Sequence, residues 1–276
     1  MLGLNSSLPL KKKLRKIHFE IHLAEHCNLN CAGCNHFSSI AEPELLNLEE
    51  FTRDIERMGE LFNHDCDGIT LIGGEPLLNP DIIKFMKTAR TNFPSARITI
   101  YTNGILLPQK DLEFWTACRD KNVGIIISSY PIQLDVEAIE EATKKFGINL
   151  SWVAARQRTI NDVFTISPID LSGSGDIRRS FAFCSQANSC ITLKHGKLFT
   201  CVFAAHVHHF SKKFGVEIPI TEADYIDIYK ESDGDTILEK LTRPIPACRF
   251  CSGGRFTKSS RKIKWHRTEQ AISEWM

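Results

Sequence analysis

The sequence predicts an α/β fold in which helices cover a parallel sheet. Strand-like and helix-like periods alternate strictly up to about Ala155, and the strand-like runs are rich in Ile and Val, as strands buried on both faces are. "KIHFEIHL" reads as a strand. "NLEEFTRDIERMGELF" reads as a helix, with Leu48, Phe51, Ile55, Met58 and Phe62 at three- and four-residue steps and Asn47 and Glu50 placed for a capping box. "GITLIGG" is a second strand. "NPDIIKFMKTARTN" is a helix, with Asn79 as N-cap and Pro80 at the first helical position. "RITIYTNG", "QKDLEFWTACRDKN", "VGIIISSY", "LDVEAIEEATKKFG" and "INLSWVAA" continue the alternation, and Gly147 provides a helix stop. Beyond Ala155 the pattern weakens. "ISPIDLSGSGDIRRS" is loop-like, and "SCITLKHGKLFTCVF" reads as a hairpin turning at His195-Gly196. The boundaries follow: a 1–16 extension, a 17–170 α/β domain, and a 171–276 domain.

Composition narrows the class. With 42% hydrophobic and 24% charged residues, the chain is an ordinary globular one. A net charge of +1 gives no basis for a nucleic-acid or membrane partner. No apolar run approaches the roughly 20 residues of a spanning helix, and no signal-peptide core follows the basic N-terminus. The expected location is cytoplasmic. In that reducing setting, ten cysteines point to metal or redox chemistry rather than disulfides.

Parallel strands in a barrel deliver their C-terminal ends to one face, where active sites collect. The first strand ends in a loop carrying Cys27, Cys31 and Cys34. The second ends in "GGEP" (Gly73, Gly74, Glu75, Pro76), the third in "TNG" with Asn103, and the fourth in "SSY" with Ser129. Three thiolates can hold three irons of a 4Fe–4S cluster and leave the fourth open to a small molecule.

The CxxxCxxC loop and the GGEP segment resemble the radical S-adenosylmethionine (SAM) superfamily over roughly residues 17 to 155. The resemblance implies a partial (β/α)6 TIM barrel over 17–170, with Cys27, Cys31 and Cys34 as ligands of a 4Fe–4S cluster. It implies that S-adenosylmethionine is bound on the open iron and cleaved to a 5′-deoxyadenosyl radical. Gly73, Gly74, Glu75 and Pro76 would meet the methionine amino group, Ser129 the ribose, Asn103 the cofactor nearby, and Arg156 the methionine carboxylate. A flavodoxin or ferredoxin is the electron donor it implies. Family members usually place an aromatic residue before the last cysteine to pack on adenine. Here that position is Gly33, so adenine is expected on His36 or Phe37 instead.

The remaining cysteines form a second group. Cys184, Gly196 and Cys201, followed by the Cys248/Cys251 CxxC pair, resemble the hairpin of SPASM and Twitch auxiliary-cluster domains, and are similar in order to Twitch dehydrogenases of the 2-deoxy-scyllo-inosamine type. That resemblance implies a small α+β domain with a second 4Fe–4S cluster on Cys184, Cys201, Cys248 and Cys251; a four-cysteine zinc site stays open beside it. Cys190 has three open readings: a hydrogen-atom donor, a substitute ligand, or a buried thiol. Cys66 and Cys118 read as inert. His206, His208 and His209 read as a solvated loop, with contact to a hydroxyl-rich or anionic substrate as the alternative. The basic, Trp-bearing tail around Trp265 and Trp275 reads as a C-terminal helix packed on the barrel.

The expected activity is oxidation of a small polar substrate: a sugar, aminocyclitol or sugar nucleotide. Three alternatives stand beside it. One is peptide modification, disfavoured because only about sixteen residues precede the first strand. Another is epimerisation with Cys190 as hydrogen-atom donor. The last is a zinc-stabilised binding module, in which Cys27, Cys31, Cys34 and His36 would hold structural zinc.

Overall fold

The computed structural model of the chain describes residues 14–153, 162–251 and 261–276. Strands β1 (His18–His22), β2 (Gly68–Ile72), β3 (Arg97–Thr102), β4 (Val123–Ser128) and β5 (Leu150–Val153) pair in parallel in that order. Helices α1 (Leu48–Leu61), α2 (Ile82–Asn92), α3 (Leu112–Asp120) and α4 (Val136–Phe146) follow the first four strands and pack in succession along one face.

The sixth parallel strand does not follow β5. Strand β6 (Val163–Ile166) leaves the sheet and pairs antiparallel with β10 (Arg261–Lys264). The sixth place is taken at the opposite edge by β7 (Ile191–Lys194), parallel to β1, which turns through His195 and Gly196 into β8 (Lys197–Phe199) and then β9 (Tyr225–Asp227). Both turn residues have positive φ, +48° and +69°, as a two-residue hairpin of matching twist requires. The result is a partial barrel whose open side faces β6 and β10.

Period-two alternation explains what this sheet does. Phe19 and Ile21, Ile69 and Leu71, Ile98 and Ile100, and Val123, Ile125 and Ile127 point into the apolar core under the helices. The alternate residues His18, Glu20, Thr70, Thr99, Tyr101 and Ser128 face the lumen. Barrel lumens are usually filled by branched aliphatic side chains. Polar ones of modest size leave this lumen open, as a cavity of about 860 Å³.

Several local expectations change. Asn47 caps α1 by accepting from the Glu49 and Glu50 N–H groups, but the Glu50 carboxylate is drawn away to His195 Nδ1 at 2.5 Å, so no reciprocal box forms. Asp81, not Asn79, occupies the N-cap position of α2. Asn79 instead accepts from Asp81 N–H and donates to the Leu23 and Leu46 carbonyls, tying the β1 and β2 ends together. The segment read as a solvated histidine loop is helix α6 (Val202–Phe214), on which His206 and His209 are buried and His208 is exposed. The tail is strand β10 followed by a single 3₁₀ turn at Ile272–Glu274, not a helix. Helices α5 (Ile177–Phe183) and α7 (Gly234–Leu241) complete the elements used below.

Candidate radical-cluster and lumen site

The loop after β1 carries Cys27, Cys31 and Cys34 into one small cavity of about 80 Å³, shared with Gly73, Gly74 and Asn103. N–H groups converge on the sulfurs. Leu29 N–H and the Asn103 side-chain amide donate to Cys27 Sγ at 3.4 and 3.7 Å. The Trp265 indole donates to Cys31 Sγ at 3.1 Å, and backbone N–H groups of residues 36–39 donate to Cys34. Burial pushes the Cys27 thiol up to about 11 and that of Cys31 up to about 12. Thiolates here therefore need a bound cation, and the converging donors suit sulfurs that carry charge. The residues present fit a cysteine-held iron–sulfur cluster.

The glycines of GGEP are required by the cysteine loop itself. A Cβ on Gly73 would lie 2.3 Å from the Ala24 carbonyl oxygen, and one on Gly74 2.2 Å from that of His26. Gly74 N–H donates to Ala24 O at 2.8 Å, and Glu75 N–H to His26 O at 3.1 Å. Gly73 and Gly74 line the cavity, whereas Glu75 and Pro76 stand behind it. The Glu75 carboxylate is fully buried and accepts from Thr102 Oγ1 at 2.7 Å, Asn103 N–H at 2.9 Å and Leu77 N–H at 3.1 Å. In this geometry it anchors the β3 loop that presents Asn103.

A second cavity, of about 550 Å³, opens from Cys31 and Cys34 toward β6 and β10. Ser129 lines it, as do Tyr130, Phe164, Ile166, Ile263 and Trp265. Tyr130 and Phe164 stack with centroids 5.4 Å apart. Tyr130, Phe164 and Trp265 together bring aromatic side chains to this cavity, which suits a purine. Gly33 lies beneath it: an added Cβ would come within 2.9 Å of Glu274 O, 3.1 Å of Ile166 and 3.3 Å of Ile263, so the tail and β6 fill the space an aromatic residue would need. Phe37 is excluded as an adenine platform, because it is buried edge-on against Phe203 and Phe210. His36 does face the cavity. Arg156 lies outside the described residues.

His36, Tyr101, Ser128 and Tyr130 line the cluster cavity, the purine-suited cavity and the lumen alike. Sequence reasoning missed Tyr101, Ser128, Tyr130 and Trp265 as site residues. Strand-end position was the available signal for the first three, and nothing local marks Trp265. Behind His36 lies a buried polar hub. His36 Nδ1 meets His22 Nε2 at 2.8 Å. Glu25 Oε2 accepts from His209 Nε2 at 2.6 Å, Lys194 Nζ at 2.9 Å and His206 Nδ1 at 3.0 Å. Burial holds His36 down at about 3 and His206 well below its ordinary value, so both rings are neutral. Burial would raise Glu25, but its donors overcome this and keep it ionised, with Lys194 supplying the positive charge. The hub orients His36.

In the lumen, burial pushes Glu20 up to about 7, opposed by the Thr192 hydroxyl, which donates to Oε1 at 3.2 Å. Cys190 lines both the lumen and the purine-suited cavity. Cys184, Cys201, Cys248 and Cys251 line a separate pocket that does not include Cys190. Among the described residues, no three cysteine sulfurs lie within 4.8 Å of one another. Two sulfurs on one zinc, each at about 2.3 Å, can be no more than about 4.6 Å apart. Cys66 and Cys118 are buried in the apolar core, Cys118 with its sulfur 3.8 Å from that of Met86.

Residues 21–151 match the family model described as Radical SAM superfamily. GTP 3′,8-cyclase of Alkaliphilus oremlandii (strain OhILAs) is 35% identical over 99 residues, 34% of this chain and 30% of the relative. Molybdenum cofactor biosynthesis protein 1 of Bos taurus is 36% identical over 100 residues, 33% of this chain and 15% of the relative. The chain thus spans less than a third of the length of these curated relatives. The crystal structure of BtrN in complex with AdoMet and 2-DOIA aligns over 88% of this chain and 95% of that one, with a TM-score of 0.50 and 15% identity, a likeness of fold. Among the described residues, no helix is long and apolar enough to cross a membrane. The chain therefore carries a domain of the radical SAM superfamily over residues 21–151.

Proposed function

We propose that this protein is a radical SAM enzyme that oxidises a small polar substrate, a sugar, aminocyclitol or sugar nucleotide, bound in the lumen. One observation carries the reading: a polar lumen opens directly onto the cavity of Cys27, Cys31 and Cys34, with His36, Tyr101, Ser128 and Tyr130 as their common wall. When bound, the cluster on these cysteines and S-adenosylmethionine supply a hydrogen-abstracting radical. The chain's own residues do the rest. Gly73, Gly74 and Asn103 shape the methionine end, Ser129 lies at the ribose end, and Tyr130, Phe164 and Trp265 flank the purine. Tyr101 positions a hydroxyl-bearing substrate beside Glu20, whose carboxylate is held from behind by the buried Thr192 hydroxyl.

Oxidation of a carbinol to a carbonyl removes one hydrogen atom, one proton and one electron. Glu20 accepts the hydroxyl proton, the bound S-adenosylmethionine would supply the acceptor of the hydrogen atom, and Cys184, Cys201, Cys248 and Cys251 would hold a second cluster supplying an acceptor for the electron. Four cysteine ligands leave that cluster no open iron, which favours electron transfer over substrate ligation. The described lumen wall carries one guanidinium, Arg97, and no lysine, which favours a weakly charged substrate over a triphosphate. A flavodoxin or ferredoxin would supply the priming electron.

The test is anaerobic reconstitution, an iron count, and assay of 5′-deoxyadenosine for wild type and the Cys27→Ala/Cys31→Ala/Cys34→Ala variant. About eight irons per chain is expected for two 4Fe–4S clusters, with deoxyadenosine formation lost in the variant. Zinc in place of iron would refute the proposal.

A second outcome, epimerisation, is favoured by one observation: Cys190 faces the lumen and stands apart from the four-cysteine pocket. If Cys190 returns a hydrogen atom to the substrate, Cys190→Ala will keep deoxyadenosine formation and lose solvent deuterium incorporation into the product. Undiminished deuterium uptake in that variant would rule out Cys190 as the donor.

A further inference from the structure

Residues 261–276 are far from the cysteine loop in sequence yet form one of its walls. Cys31 and Arg267 make an antiparallel bridge. Ala32 N–H donates to His266 O at 3.0 Å, and Thr268 N–H to Asn30 O at 2.8 Å. Strand β10 holds the segment to β6, and Arg261 donates to the Ser273 and Glu274 carbonyls, closing the segment on itself. Two indoles are thereby delivered to the loop with different targets. Trp265 Nε1–H reaches Cys31 Sγ at 3.1 Å, across 234 residues of chain, while Trp275 Nε1–H reaches the Cys34 carbonyl oxygen at 3.0 Å. Cys34 takes donors from its own loop, residues 36–39, and Cys27 takes one from Leu29 N–H and a long one from the Asn103 amide. Cys31 takes side-chain donors from distant elements, Trp265 and the Tyr130 hydroxyl.

We propose that Trp265 is a positioning residue of the radical site, and that its indole N–H, donated to the Cys31 sulfur, raises the reduction potential of the cluster held there. The inference rests on the assignment of Cys27, Cys31 and Cys34 as cluster ligands. Reduction adds negative charge that is shared by the ligating sulfurs, so an N–H dipole aimed at one of them stabilises the reduced form more than the oxidised form. Outer-shell donors tune metal sites in this way. The same indole lines the purine-suited cavity, so one side chain would link cofactor fit to the ease of reduction.

The experiment is an EPR-monitored potentiometric titration of the full-length, reconstituted protein. Wild type is compared with Trp265→Phe, with a Trp265 replacement by β-(3-benzothienyl)alanine, which keeps the bicyclic shape and lacks the N–H, and with Trp275→Phe. A lower midpoint is expected for both Trp265 replacements, and a wild-type midpoint for Trp275→Phe, whose lost N–H pointed at a carbonyl. An unchanged midpoint in the benzothienyl protein would overturn the proposal, as would an equal shift in Trp275→Phe, which would trace the effect to general packing. If Trp265→Phe fails to assemble a cluster, the benzothienyl protein decides. Failure of the underlying assignment is distinct: the Cys27→Ala/Cys31→Ala/Cys34→Ala variant would then keep every cluster signal of the wild type.

Discussion

Replacing Glu20 with glutamine is expected to stabilise the protein by about 3 kcal/mol at pH 8 while abolishing substrate oxidation. The buried carboxyl has its folded-state value raised from 4.5 to about 7. Between these values the folded protein binds more protons than the unfolded chain, so the stability contributed by the neutral carboxyl is complete below about pH 4.5 and is lost as pH rises through about 7. At about 1.4 kcal/mol per pH unit, the loss across that window is about 3 kcal/mol. The groups facing Glu20 do not offset it. Thr192 on β7 offers only a hydroxyl, and Tyr101 on β3, itself raised by burial, lies nearby together with Cys190. Urea unfolding of wild type and Glu20→Gln from pH 5 to pH 8 checks this: the two curves should converge at the acid end and separate toward the alkaline end. Parallel curves would show that the carboxyl is not strained, and would weaken its role as a proton acceptor. A carboxyl that destabilises the fold yet faces the lumen cavity is the pattern expected where function is traded against stability.

Gly74→Ala should cost about 3 kcal/mol, near the upper end for forced overpacking, and should lower iron content per chain after reconstitution. Its added Cβ would stand 2.2 Å from the His26 carbonyl oxygen and 2.4 Å from its carbon, and backbone one residue from Cys27 cannot yield as a flexible side-chain tip can. Gly147→Ala is the contrasting control. Gly147 sits at φ +66° with nothing within 4 Å of an added Cβ. It should lose about 1 kcal/mol through backbone strain alone and keep its full iron content. Equal iron in both variants would show that the GGEP glycines matter only for folding.

The sequence was most legible where a local rule and the tertiary environment agree. The first five strands, the helices between them, the hairpin at His195-Gly196 and the inert Cys118 all follow from period and turn chemistry that neighbouring elements reinforce. The departures occur where a side chain found a better partner far along the chain. Glu50 left its capping box for His195, and Asn79 left its cap for the Leu23 and Leu46 carbonyls. His206 and His209 were taken into a buried hub by Glu25, which lies 181 and 184 residues away from them. Polar helix positions read as solvated unless a buried counter-charge is known, and spacing does not disclose one.

The candidate site divides along the same line. Three cysteines in eight residues, two adjacent glycines and the ends of parallel strands are all short-range features, so the sequence by itself determined the cluster loop, the glycine ledge and the face on which they meet. Only the tertiary structure decided that the sixth parallel strand comes from the β7 hairpin at the β1 edge, that β6 leaves to pair with β10, and that the tail thereby reaches the cysteines. The physical reason is that strand pairing depends on backbone hydrogen bonds available to any sequence. Which distant edges satisfy one another is settled when the whole chain buries its apolar faces, and that choice placed Trp265 on Cys31.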